Sequence, residues 1–244
     1  MLEGWVCLIL FFATLTHGLS GFGLALVAVP LLQPLVSLQV ATPLISLVSG
    51  IIVVAMGMHY RSALEWGSLL RLAGGATATI PLGVWAATRW DERWITLILG
   101  IVLLVYAAYG LLGLRLPELR SPHWAWFFGG LSGFLSGMAN IGGPPAILYA
   151  NCRRWDPERF KGNLQGLFLS NLGTVILSHT LQGNYTPQVF QLLRIGMPAI
   201  LIGFVVGLWL SHWINPVQFR RLVLVSLVGI GGMLLWRSLG ALWG

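Results

Sequence analysis

The chain has 244 residues, 57% of them hydrophobic and only 9% charged, with a formal net charge of +7 and a mean hydropathy of +0.82. A soluble domain carries about 25% charged residues, so a water-facing globule and a soluble catalytic domain are both excluded, and lipid is the solvent this composition suits. The basic residues are scattered through short loops rather than gathered on one helix or patch, which sets nucleic acid aside as a partner and leaves them as records of membrane orientation.

Apolar stretches run over about 4–35, 41–58, 67–88, 94–114, 123–150, 163–182, 188–212 and 217–240. A spanning helix needs ~20 mostly apolar residues. The expected fold is therefore an all-α, multi-pass membrane protein with about eight hydrophobic segments. Nothing alternates as a lipid-facing barrel strand would. The start reads as an uncleaved membrane segment: Glu3 is the one charge before the apolar run, and no small-residue cleavage site follows it. Cys7 and Cys152 are far apart, match no metal or redox spacing and read as free thiols. No metal or cofactor is expected.

The first and fifth stretches are near 30 residues, longer than a span requires, and each holds a glycine cluster near its middle. The first cluster runs from His17 to Pro30 through Leu19-Ser20-Gly21-Phe22-Gly23, and the second from Gly133 to Pro145 through Leu135-Ser136-Gly137 and Asn140-Ile141-Gly142-Gly143-Pro144. Glycine weakens a helix and proline removes a backbone donor. In hydrocarbon the freed backbone groups must be satisfied by protein or by a wet cavity, so both breaks are expected to face the interior. Close packing of small residues is the plain alternative for any single glycine. Matched breaks in the two halves of a chain are the sequence pointer to a transporter's binding site.

The halves match beyond the clusters. Leu70-Arg71-Leu72 precedes Pro81-Leu82-Gly83-Val84-Trp85, and Leu193-Arg194-Ile195 precedes Val206-Gly207-Leu208-Trp209. Two membrane repeats are expected, near 1–115 and 120–244. If segments 1 and 5 both span, each repeat has four crossings and the halves are parallel. Arg89, Arg93, Arg153, Arg154, Arg159, Lys161, Arg220 and Arg221 then share one side, opposite Arg61, Arg115, Arg120 and Arg237. If both are re-entrant hairpins, the halves are inverted, and only Arg89, Arg93 and Arg237 oppose the rest. The charge bias is a little sharper in the second case, and both place the Arg153–Lys161 loop in the cytoplasm.

At these residues the chain resembles the TauE/SafE family of membrane permeases. The resemblance covers nearly the whole sequence. It rests on Ser20-Gly21-Phe22-Gly23 running into Pro30, on Ser136-Gly137 through Ile141-Gly142-Gly143-Pro144-Pro145, on the Tyr60-Arg61-Ser62-Ala63-Leu64-Glu65-Trp66 loop, and on Phe219-Arg220-Arg221-Leu222. It implies export of sulfite or other organosulfur anions. The chain departs from the family pattern at Gly23-Leu24-Ala25, where a glycine triplet is usual. It departs again at Gly50, where the first half lacks the counterpart of Asn171.

An anion within a membrane needs positive potential and hydrogen-bond donors, and helix N-termini supply both. The expected substrate site is a midplane anion site built from Ser20, Gly21, Phe22, Gly23, Ser136, Gly137, Asn140, Gly142, Gly143 and Pro144, with Asn171 from the sixth segment. Asn163, Ser170 and Asn171 are spaced to share one inward helix face. His17 beside the first break is the candidate for proton coupling, ahead of His179. Arg71 and Arg194 are candidates for drawing anions inward, with snorkelling to the interface as the plain alternative.

The expected function is a secondary transporter of small sulfur-containing anions, working by alternating access in the cell inner membrane. An anion channel and a subunit of a larger complex stand as rivals, and a homodimer is kept open. An enzyme is set aside, because no GxSxG, His-x-x-Glu-His or membrane carboxylate pair is present.

Overall fold

The computed structural model describes residues 2–59, 64–114 and 116–243. Arg61 and Arg115, and Tyr60–Ala63 of the loop quoted above, lie outside the described residues. Within them the chain forms ten α-helices and no strand: α1 Leu2–Ser20, α2 Leu24–Leu32, α3 Leu38–His59, α4 Trp66–Arg89, α5 Glu92–Leu112, α6 Trp124–Ala139, α7 Gly143–Cys152, α8 Pro157–Leu181, α9 Pro187–Leu210 and α10 Pro216–Trp243. The first apolar stretch becomes α1 and α2, and the fifth becomes α6 and α7.

Five described helices contain stretches long and apolar enough to cross a membrane: Leu2–Ser20, Leu38–Met56, Glu92–Leu112, Pro187–Leu210 and Arg221–Leu239. The 25-residue α8 has the length but not the hydropathy, because Arg159, Lys161, Asn163, Gln165, Ser170 and Asn171 interrupt it. Many large apolar side chains face outward, including Trp66, Leu70, Leu112, Val205, Trp209 and Trp236. Such a surface would drive aggregation in water and is at home in lipid. The chain is a multi-pass membrane protein.

Local sequence sets the helix ends. The Asp91 carboxylate accepts the Arg93 N–H at 2.9 Å and starts α5, and Gly113 ends it in the left-handed region at φ 60°. Asp156 accepts the Arg159 N–H at 3.0 Å, with Pro157 in the first turn of α8.

The helices sort into two compact units, and each draws on both halves of the chain. Unit 1 comprises Met1–Leu38, Arg89–Arg115 and Ile195–Gly244; unit 2 comprises Gln39–Thr88 and Leu116–Arg194. In unit 1, α1 crosses α9 at small residues. Gly18 lies so close that a methyl there would sit 2.7 Å from the Phe204 carbonyl oxygen, and methyls at Gly203 and Gly207 would overlap the carbonyls of Phe11 and Leu15. Helix α5 packs along α10, and the Ser238 hydroxyl donates to the Arg93 carbonyl at 2.9 Å. Just beyond α2, Gln33 reaches the start of α5, donating to Glu92 Oε1 and to Thr96 Oγ1.

Unit 2 repeats the small-residue crossing between α4 and α6. Methyls at Gly83, Gly129, Gly133 and Gly137 would overlap the carbonyls of Phe134, Leu72, Ala76 and Ile80, and Thr79 Oγ1 donates to the Gly130 carbonyl at 2.6 Å. Close backbone approach of this kind is how membrane helices gain dispersion contact where lipid removes the hydrophobic drive. The end of α7 lies against the segment that precedes α6: the Leu119 N–H donates to the Cys152 carbonyl at 3.1 Å, and Arg153 Nη1 donates to the Leu119 carbonyl at 3.0 Å. Arg153 also pairs with Glu65 at 3.8 Å. At the other end of the unit, Thr88 Oγ1 donates to Gln182 Oε1 at 3.0 Å.

Candidate functional site

In unit 1 the break follows from three residues. Gly21 at φ 79° takes the left-handed conformation that ends α1, its N–H donating to the His17 carbonyl at 2.7 Å. The Ser20 hydroxyl sits between the carbonyls of Thr16, at 2.7 Å, and Phe22, at 2.6 Å. It holds the turn together, which leaves its single proton little freedom for a ligand. Gly23, at φ 100°, is the N-cap of α2 and supplies no side-chain cap.

Helix α2 therefore opens with bare backbone donors. The first intrahelical bond runs from the Val27 N–H to the Gly23 carbonyl at 3.1 Å. The N–H groups of Leu24, Ala25 and Leu26 have no partner among the described residues, and these residues are 2%, 8% and 3% exposed. Buried backbone donors are almost always paired with protein, water or ligand. Leading up to them is His17, 4% exposed, on the interior stripe of α1 with Val6, Leu10 and Ala13. Neither ring nitrogen has a hydrogen-bond partner among the described residues.

In unit 2, Asn140 holds the left-handed position at φ 57° where α6 ends, and its N–H donates to the Ser136 carbonyl at 2.8 Å. Its side-chain amide donates to the Thr42 carbonyl of α3 at 2.9 Å. The chain then reverses: the Ser132 hydroxyl donates to the Gly142 carbonyl at 2.7 Å, eight residues back from the turn. Gly142 packs so tightly that a methyl there would overlap the Ser136 hydroxyl oxygen. Gly142 is the N-cap of α7, and Pro144 and Pro145 fill its first turn. Proline has no N–H, so where α2 has the N–H groups of Leu24, Ala25 and Leu26, α7 keeps that of Gly143 alone.

The two breaks thus share a plan and differ in donors. Ser20 and Ala139 end their helices and Gly23 and Gly142 cap the next ones, a spacing of 119 residues in each case. The matching Leu-Ser-Gly triplets are 116 apart and so fall out of register by almost one turn.

Asn171 lies one turn beyond Phe168, whose ring approaches Gly143 at the start of α7. It is 3% exposed, and neither amide atom has a partner among the described residues. Its expected neighbours on that face behave otherwise. Asn163 is fully buried and committed, accepting the Glu65 N–H at 2.9 Å and donating to the Arg159 carbonyl at 2.9 Å. Ser170 is exposed and bonded to its own helix at Leu167, so the shared inward face does not extend to it. His179 is held through Nδ1 by Asn184 at 2.9 Å and by the ring of Tyr185. Burial pushes the Tyr185 phenol above its ordinary range, partly offset by its hydrogen bond with Ser46. Arg71 is half-buried and Arg194 exposed, and neither has an ion-pair partner among the described residues.

Ser132 and Thr42, which brace the second break, were not singled out by the sequence. Ser132 had a local signal, since it lies four residues before Ser136 on one helix face. Thr42 had none, because it acts through a carbonyl 98 residues from Asn140.

The family model for the sulfite exporter TauE/SafE matches residues 6–234. The chain is also similar to the probable sulfite/organosulfonate exporter TauE of Cupriavidus necator, 24% identical over 235 residues that cover 91% of this chain and 89% of that protein. No solved structure matches it.

Proposed function

We propose a transport cycle for this chain from one premise: it belongs to the sulfite exporter TauE/SafE family, which makes it a membrane transporter and not an enzyme. On our reading it is a secondary transporter that exports sulfite or a small organosulfonate from the cell, across the inner membrane, by alternating access.

The observation that carries the site is the start of α2. Three buried N–H groups, of Leu24, Ala25 and Leu26, are without partners among the described residues and lie at the positive end of a helix dipole. Left unsatisfied in a membrane interior, such groups cost several kcal/mol each. A pyramidal oxyanion with three acceptor oxygens answers that need, and Gly23 lets it approach the backbone. Gly21, Phe22 and Ser20 form the turn that presents these donors. In unit 2, Ser136, Gly137, Asn140, Gly142, Gly143 and Pro144 form the corresponding turn, and Asn171 offers an uncommitted amide. His17 is proposed as the proton carrier, because a buried imidazole with both nitrogens free can take and release a proton without breaking a structural bond. Arg71 and Arg194, free of ion pairs, are proposed to raise the local anion concentration.

For topology we propose the inverted arrangement with α1–α2 and α6–α7 as re-entrant hairpins in two repeats, near 1–115 and 120–244. Three contacts support it. Ser238 bonds to Arg93; Cys152, ending α7, bonds to Leu119 ahead of α6; and Thr88 bonds to Gln182. Eight full crossings would set the partners in each of these pairs on opposite faces. The basic 153–161 loop then marks the cytoplasmic side.

The test is radiolabelled sulfite counterflow in proteoliposomes containing only this protein, with and without a pH gradient. Transient, saturable accumulation supports the carrier, since a channel gives no exchange stimulation. Gradient dependence that disappears in His17→Gln supports the proton role. Wild-type protein that accumulates neither sulfite nor an organosulfonate overturns the reading.

A further inference from the structure

A second polar site lies in unit 1, away from the broken helix. The start of α5, the end of α10 and the residue after α2 enclose an open cavity of about 310 Å³, lined by Gln33, Asp91, Glu92, Arg93, Arg237 and Ser238, with Thr96 at its wall. This volume is at the lower end of small-molecule clefts.

Its charges form two pairs. Arg93 and Arg237 contribute two guanidinium groups, and Asp91 and Glu92 two carboxylates. Arg93 meets Asp91 at 3.9 Å, with both side chains more than half exposed, an ion-pair geometry worth little. Arg237 has no ion pair or hydrogen bond among the described residues. Glu92 is held by the Gln33 amide at 3.3 Å. The other end of that amide, Oε1 of Gln33, is buried behind the wall, without a partner among the described residues.

The level of the cavity is set by its surroundings. It lies at the ends of two spanning helices, Glu92–Leu112 and Arg221–Leu239. Trp90, Trp94 and Trp236 stand beside its lining residues in sequence and are 41%, 54% and 82% exposed. Exposed tryptophans at span ends mark the headgroup region of a bilayer.

We propose that this cavity binds the headgroup of a phospholipid carrying both a phosphate and a primary ammonium, that is, a phosphatidylethanolamine. Arg237 and Arg93 take the phosphate through charge-assisted hydrogen bonds. The N–H donors of the ammonium go to the Asp91 and Glu92 carboxylates. A choline headgroup has no N–H to give and is recognised by aromatic faces instead, and a glycerol headgroup has no positive charge. Both leave the carboxylates unanswered.

Delipidated full-length protein in detergent is offered equal amounts of phosphatidylethanolamine, phosphatidylcholine and phosphatidylglycerol, and retained lipid is read by native mass spectrometry. Phosphatidylethanolamine is expected to be retained over the other two by about tenfold, and Arg237→Gln or Glu92→Gln is expected to abolish the preference. Equal retention of the three lipids by the wild-type protein overturns the proposal, whether or not the variants fold. A second arm measures thermal protection by inorganic phosphate and by free phosphoethanolamine. Protection by phosphate equal to that by phosphoethanolamine overturns the headgroup assignment in favour of a soluble anion. Protection by phosphoethanolamine but not by phosphate supports it.

Discussion

The Ser238 hydroxyl donates to the Arg93 carbonyl at 2.9 Å, so α10 finishes where α5 begins. That single bond bears on the topology of the whole chain, because eight full crossings would put Arg93 and the end of α10 on opposite faces of the membrane. With Cys7 and Cys152 replaced by alanine, single cysteines at Trp94 and Trp236 are expected to react from the outside of intact cells with a membrane-impermeant maleimide. Cysteines at Glu118 and Arg154 are expected to react only after the membrane is opened. Labelling of Trp94→Cys and Trp236→Cys from opposite faces would rule out the re-entrant arrangement.

Glycine contacts sort into those that need glycine and those that do not. Gly83 and Gly207 lie against the carbonyls of Phe134 and Leu15 with no room for a methyl, whereas Gly173 and Gly232 have nothing within 4 Å of the space a methyl would fill. Gly83→Ala and Gly207→Ala are each expected to destabilise the protein by about 1–3 kcal/mol through overpacking. Gly173→Ala and Gly232→Ala are expected to be neutral or to stabilise by up to about 1 kcal/mol. Thermal unfolding in detergent, read on the four single variants, checks the ordering.

Asn140 has two separable roles. Its backbone takes the left-handed conformation, and its amide reaches the Thr42 carbonyl. Asn140→Gly keeps the first and loses the second, at an expected cost of about 0.5–1.5 kcal/mol for one hydrogen bond. Asn140→Leu loses both and adds about 1–2 kcal/mol for the left-handed strain. If the two variants are equally stable, the turn geometry is not what selects asparagine here.

Much of this was legible because broken helices leave strong local marks. Gly21 and Gly23 predicted an interruption, and both take positive φ. The register between the halves was harder. Leu19-Ser20-Gly21 and Leu135-Ser136-Gly137 match as letters, yet Gly21 ends a helix while Gly137 lies inside one, against Ile80. A residue selected for close packing and one selected for left-handed backbone are both glycine, and a sequence cannot separate them. The roles of Ser20 and Asn140 were hidden for a related reason. A hydroxyl or amide beside a break can serve a ligand or the break itself, and only the positions of the Phe22 and Thr42 carbonyls decide. The two compact units were also beyond reach, since α4 packing on α6 and α9 on α1 joins segments from different halves of the chain.

Arg153 fastens the end of α7. It donates to the Leu119 carbonyl at 3.0 Å and the Arg120 carbonyl at 3.3 Å, and pairs with Glu65 at 3.8 Å. Both side chains of the pair remain about a third exposed, so solvent screens the charge term. Glu65→Gln is expected to cost no more than about 1 kcal/mol. Arg153→Gln is expected to cost more, about 1.5–3 kcal/mol, because hydrogen bonds from a charged donor to two carbonyls are lost. The comparison is made by thermal unfolding at low and high salt. A Glu65→Gln cost equal to that of Arg153→Gln, and vanishing in high salt, would mean that the ion pair rather than the carbonyl bonds holds this end.

The sharpest test of the anion site removes a backbone donor and little else. Ala25 is the second residue of α2, and its N–H is one of the three without a partner. The corresponding place in α7 is Pro144, so this chain already accommodates proline at that point of a short helix after a glycine N-cap. Proline in the first turn breaks no intrahelical bond. Ala25→Pro should therefore fold, with a thermal midpoint close to that of the wild type, while lacking one N–H toward the anion. A hydrogen bond to a charged group is worth about 1.5–3 kcal/mol, so KM for sulfite in counterflow is expected to rise by about tenfold or more. Pro144→Ala adds a donor at the other break and is expected to leave KM the same or lower. A stably folded Ala25→Pro protein with unchanged KM would show that the α2 terminus does not hold the substrate, and attention would pass to Asn171.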